Sequence, residues 1–83
     1  MDYSYDDIMA LKERILELYN RSNIAHINLK ASRKNLKNVK IKIKGVYDRF
    51  MSVTSMVNSY EENFTIKYID ILTNQVSILE LEQ

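Results

Sequence analysis

Val39-Lys40-Ile41-Lys42-Ile43-Lys44 supports two opposed readings. Apolar and basic residues alternate strictly, as on a half-buried β-strand, and β-branched side chains favour that state. Phe64-Thr65-Ile66-Lys67-Tyr68 begins a second such run. Yet Val39 and Ile43, four residues apart, also share one stripe of an α-helix, which turns every 3.6 residues.

Outward from this hexapeptide runs a seven-residue repeat. With Ile8 at position a, ten of the eleven a positions and eight of the eleven d positions are apolar. The expected partner-helix interface, drawn from these columns, comprises Ile8, Leu11, Ile15, Leu18, Leu29, Leu36, Val39, Ile43, Val46, Phe50, Val53, Val57, Tyr60, Phe64, Ile71 and Ile78. A stripe repeating every 3.5 residues stays on one side only if the helix winds around a partner. Turn-forming residues are scarce, with one Gly and no Pro, which weighs against a many-stranded fold. The expectation is all-α: a long, nearly continuous helix forming a coiled coil or helical bundle with partner helices. The alternative is a two-helix hairpin. Unbroken from Ser4 to Leu81, the helix would be roughly 110–120 Å long at 1.5 Å per residue.

The start of that helix is legible. Ser4 stands three residues before Asp7 as in a capping box, and Asp6 and Asp7 suit the positive end of the helix dipole. Three places could interrupt the helix: Asn20-Arg21-Ser22-Asn23, Gly45, and the stretch from Asn58 to Asn63. The heptad phase runs through all three, which favours continuity; a hairpin would fold back near residues 20–23 or 45.

Eighty-three residues leave room for one small domain, and we read residues 1–83 as a single segment with charge in blocks. Residues 1–20 are acidic at net −3, residues 21–50 basic at net +8, and residues 51–83 acidic and apolar at net −4. Arg33 and Lys40 fall at e, Lys42 and Arg49 at g, the positions that select partners in coiled coils. Like charges there disfavour a parallel homodimer and favour a partner with acidic flanks facing residues 30–49. The same block supplies candidate polyanion contacts: Lys30, Arg33, Lys34, Lys37, Lys40, Lys42, Lys44 and Arg49.

Catalytic and cofactor chemistry finds little material. No Cys is present for a thiolate or disulfide, and one Gly cannot build a phosphate-cradling loop. His26 is the only imidazole and has no ligating side chain three or four residues away. Asp6–Asp7 and Glu61–Glu62 are adjacent pairs that diverge on a helix. No catalytic, cofactor-binding or metal residue is nominated, and no small-molecule substrate is expected. The acidic start and the absence of a long apolar run predict an intracellular protein, cytoplasmic or nuclear. The expected function is that of a non-enzymatic structural or adaptor subunit joining a hetero-oligomeric complex of helical chains. The alternative is a protein that binds nucleic acid or an anionic membrane surface through residues 30–49.

Overall fold

A computed structural model of the protein describes residues 4–30, 36–57 and 60–82. The chain opens with helix α1 (Tyr5–Arg21). Its capping box forms as the sequence predicts. The Ser4 hydroxyl accepts from the Asp7 N–H at 3.2 Å, and the Asp7 carboxylate accepts from the Ser4 N–H at 3.1 Å. The helix stops at Arg21 because Ser22 takes an extended conformation, φ −160° and ψ 130°.

From Ile24 onward the all-α coiled coil, and the two-helix hairpin with it, is overturned. The chain forms a five-stranded antiparallel sheet of order β4-β3-β2-β1-β5. Its strands are β1 (Ile24–Leu29), β2 (Leu36–Val46), β3 (Phe50–Val57), β4 (Tyr60–Lys67) and β5 (Val76–Ile78). A one-turn helix α2 (Tyr68–Leu72) links β4 to β5, and a 3-10 turn over Leu79–Leu81 follows. Among the described residues, 17-residue α1 is the longest helix, and none is long and apolar enough to cross a membrane.

The physical reason for the correction is that a step of four residues belongs to both periods. Ala25 and Leu29, or Val39 and Ile43, stay on one face of a strand as well as on one stripe of a helix. The side chains that decide lie between the heptad columns. Ile27, Ile41, Met51 and Ile66 are 0–3 % exposed, although a helix would turn each of them away from its seam. Conversely, Phe50 at a and Tyr60 at d are exposed.

The core lies between α1 and one sheet face. Ile8, Leu11, Ile15 and Leu18 pack with Ala25, Ile27, Ile41, Ile43, Met51, Val53, Ile66, Val76 and Ile78. Burying the four helix residues stabilises the docking by about 6–12 kcal/mol gross. The stripe expected to meet a partner helix thus meets the chain's own sheet.

The scarcity of Gly and Pro is offset by other means. Asn38 and Asn74 adopt positive φ, 56° and 65°, which Asn tolerates better than most residues. The turn between β2 and β3 closes through a Tyr47 N–H to Phe50 carbonyl bond of 2.9 Å. Gly45 sits at a bulge: Ile43 pairs with Val53, but Gly45 pairs with Ser52.

Candidate functional site

Strand alternation assigns the opposite, helix-free face. Where Ala25, Ile41, Val53 and Ile66 point into the core, the residues between them point out. On β2, the central strand, these are Lys40, Lys42 and Lys44, all exposed. On β1 they are Ile24 and His26, paired with Lys42 and Lys40. On β3 and β4 they are Phe50, Ser52, Thr54, Glu61, Asn63, Thr65 and Lys67. Alternate strand residues repeat every ~6.8 Å, so the three β2 ammonium groups form a row along the middle of the sheet.

Beside this row is a depression of about 390 Å³ lined by Ile24, Lys40, Ile41, Lys42, Lys44, Thr54 and Glu61. Its floor is polar but internally satisfied: the Thr54 hydroxyl donates to the Asn63 Oδ1 at 2.6 Å. Among the described residues Lys12–Asp48 is an ion pair and Glu80 is bonded to His26, so Lys40, Lys42, Lys44 and Lys67 have no carboxylate partner there.

At one end of the row stand two aromatic rings. Tyr47 is 51 % and Phe50 38 % exposed, and their ring centroids lie 5.0 Å apart at 31°. The Tyr47 ring rests over Gly45; a Cβ there would stand 2.7 Å from the Tyr47 hydroxyl oxygen. The absence of a side chain at the bulge is what lets the ring lie down. Beneath, the turn is clamped to the interior. The Tyr68 N–H donates to the Arg49 carbonyl at 3.1 Å, and the buried Tyr68 hydroxyl donates to the Tyr47 carbonyl. Burial pushes the Tyr68 phenol up to about 12, despite that hydrogen bond. From α1, Lys12 Nζ reaches Asp48 Oδ1 at 2.8 Å and, by hydrogen bond and charge, lowers the Asp48 carboxyl below its ordinary value.

At the other side, His26 meets Glu80. The carboxylate accepts from the His26 N–H at 2.8 Å, and its second oxygen is 2.7 Å from Nδ1. Burial raises the Glu80 carboxyl, but bonds to the His26 ring and amide outweigh it, and the net shift is downward. Glu80 thereby satisfies the strand β1 amide just past the point where β5 ends. Among the described residues, no group of three or more His, Asp or Glu could hold a metal ion.

The seam residues of the sequence reading divide into four sets. Ile8, Leu11, Ile15, Leu18, Ile43, Val53 and Ile78 are core; Leu29, Val39, Val46, Phe64 and Ile71 pack against it in part. Phe50 and Tyr60 are exposed, and the side chains of Leu36 and Val57 lie outside the described residues. Of the basic set, Lys40, Lys42 and Lys44 share the open face, while Lys30, Lys37 and Arg49 are exposed elsewhere. Arg33 and Lys34 lie outside the described residues. The sequence reading assigns no site role to Tyr47, Gly45 or Lys67. The strict alternation around Ile66 was the signal that places Lys67 on the same face as the lysine row, one strand beyond β3. No family model, curated protein or solved structure matches the chain.

Proposed function

We propose that the protein is a binding module whose open sheet face takes the phosphate backbone of a nucleic acid. The observation that carries this reading is the row of Lys40, Lys42 and Lys44 on the central strand, without a carboxylate partner among the described residues. An open sheet face must be polar, but polarity alone does not ask for three like charges in a row, and of the residues lining the depression beside them Glu61 alone is acidic. Lining up like charges costs repulsion, which an anionic chain lying along the strand relieves. The neutral neighbours Ser52, Asn63 and Thr65 supply hydroxyl and amide groups of the kind that bond phosphate oxygens. The apolar stripe of α1 is covered by the chain's own sheet, so the open face is the better candidate surface.

The test is fluorescence anisotropy of a labelled oligonucleotide over a range of salt concentrations. If Lys40, Lys42, Lys44 and Lys67 each meet a phosphate, log K should fall with log salt at a slope near −3 for a single strand, ~0.7 per contact. Lys42→Glu should weaken binding and make the slope shallower. Binding that ignores both salt and Lys42→Glu would refute the reading.

A further inference from the structure

We infer that the nucleic acid bound is single-stranded and that Tyr47 and Phe50 form a platform on which one of its bases stacks. This rests on the phosphate-binding reading above and adds the ligand's strandedness and the contact that selects it. Phosphate contacts position a ligand, whereas an aromatic face engages a base that is free of its own stack.

Four observations converge on the pair. Both rings are large, apolar and substantially exposed, at 51 % and 38 %. They lie on the same face as the lysine row: Phe50 precedes inward Met51 on β3, and Tyr47 covers the outward position of Gly45. Cations surround them, since Lys67 pairs with Phe50 across β3 and β4 and Lys44 adjoins Gly45 on β2. The pair is also held in place before any ligand arrives. The Tyr47 N–H closes the turn on the Phe50 carbonyl at 2.9 Å, while Tyr68 and Lys12 hold the same turn from the core and from α1. A platform fixed by folding loses little freedom on binding, which is what makes an exposed aromatic pair effective.

Neither a duplex nor a phospholipid surface offers an unpaired base for the rings. A duplex keeps its bases stacked on one another, and a phospholipid headgroup offers no base. An unpaired strand offers both parts: phosphates for the lysine row and a flat base for the rings.

The experiment measures anisotropy for fluorescein-labelled oligothymidine, the matching abasic strand and the matching duplex. Sedimentation with phosphatidylserine–phosphatidylcholine vesicles runs beside it. Wild-type protein should bind oligothymidine about 5- to 150-fold more tightly than the abasic strand, the range expected for stacking of one base. Tyr47→Ala and Phe50→Ala, checked for folding by circular dichroism, should each erode that preference while leaving the salt slope unchanged. The abasic comparison needs no variant and stands even if one fails to fold. Equal binding of oligothymidine and abasic strand, with Lys42→Glu still weakening both, would overturn the platform and leave the phosphate reading intact. Duplex binding as tight as single-strand binding would overturn the inference in the same way. Lysine-dependent binding to vesicles with none to any oligonucleotide would overturn both readings.

Discussion

Truncating Ile41 and truncating Phe50 should have effects in the reverse order from that of a heptad rod. On such a rod Ile41 faces outward and Phe50 fills the core. In the sheet, Ile41 is 1 % exposed at the centre of β2, while Phe50 lies on the open face. Replacing a buried isoleucine with alanine costs about 2–5 kcal/mol, the larger values where the site cannot collapse. The cross-strand partners of Ile41 are Ala25 and Ser55, side chains too small to fill the space left, so about 3–5 kcal/mol is expected. A chain of this length has a total stability of about 4–12 kcal/mol, and each kcal/mol shifts the midpoint by about 4–8 °C. Ile41→Ala should therefore lower Tm by at least about 12 °C, or leave the chain unfolded at room temperature. Phe50→Ala loses the Tyr47 ring contact, about 0.5–1.5 kcal/mol, and the partial burial of a ring that is 38 % exposed, about 1–2 kcal/mol more, so its total stays below that of Ile41→Ala. Urea titrations followed by circular dichroism measure both, with the m-value reporting whether the folded state has changed. An Ile41→Ala midpoint equal to wild type, or a Phe50→Ala loss as large as that of Ile41→Ala, would refute the sheet assignment of these residues.

Other predictions follow from the clamps around the site. The Glu80 carboxyl is held below its ordinary 4.5, so its contribution is present above pH 4.5 and lost as pH falls through the lowered value. Thermal melts of Glu80→Gln should show a flatter acid limb below pH 4.5 than wild type, and superimposable limbs would count against the His26–Glu80 pair. The Tyr68 phenol sits near 12 against an ordinary 10, so its contribution is whole below pH 10 and declines as pH rises toward 12. Ultraviolet titration should show one late-ionising tyrosine that disappears in Tyr68→Phe, and that variant should lose about 0.5–1.5 kcal/mol. Gly45→Ala should fold but displace the Tyr47 ring; unchanged ring-proton shifts of Phe50 by NMR would contradict the contact at Gly45.

Much of α1 was legible because its signals are local. The Ser4–Asp7 cap and the stripe Ile8, Leu11, Ile15 and Leu18 required no knowledge of what covers them. Its end was not: Asn20-Arg21-Ser22-Asn23 is a weak point, but the unbroken heptad phase favours a helix running through it, and α1 stops at Arg21. The sheet was obscured by two things. Steps of four mimic a heptad seam within each strand, and the bulge at Gly45 brings Val46 back to the core side, so the count never appears to slip. The turns also rely on contacts distant in sequence. Tyr47-Asp48-Arg49-Phe50 contains neither Gly nor Pro, and it is Tyr68 and Lys12 that hold it. The lysine row was visible in the opening hexapeptide, since alternation puts all three on one face. Tyr47 drew no notice because its role depends on the missing side chain two residues earlier.

The connectivity of the sheet also dictates an order of assembly. Strands β2, β3 and β4 follow one another through short connections, whereas β5 must find β1 across the chain, Ile78 seating beside Ile27 fifty-one residues away. Closing the longer loop carries the larger entropic cost, so the meander should zip first and β5 arrive last. Last to arrive is also easiest to release: amide exchange should find Val76–Ile78 opening ahead of the central strands. With each such opening one margin of the sheet passes from three-residue β5 to six-residue β1, a longer row of backbone groups left without a neighbour.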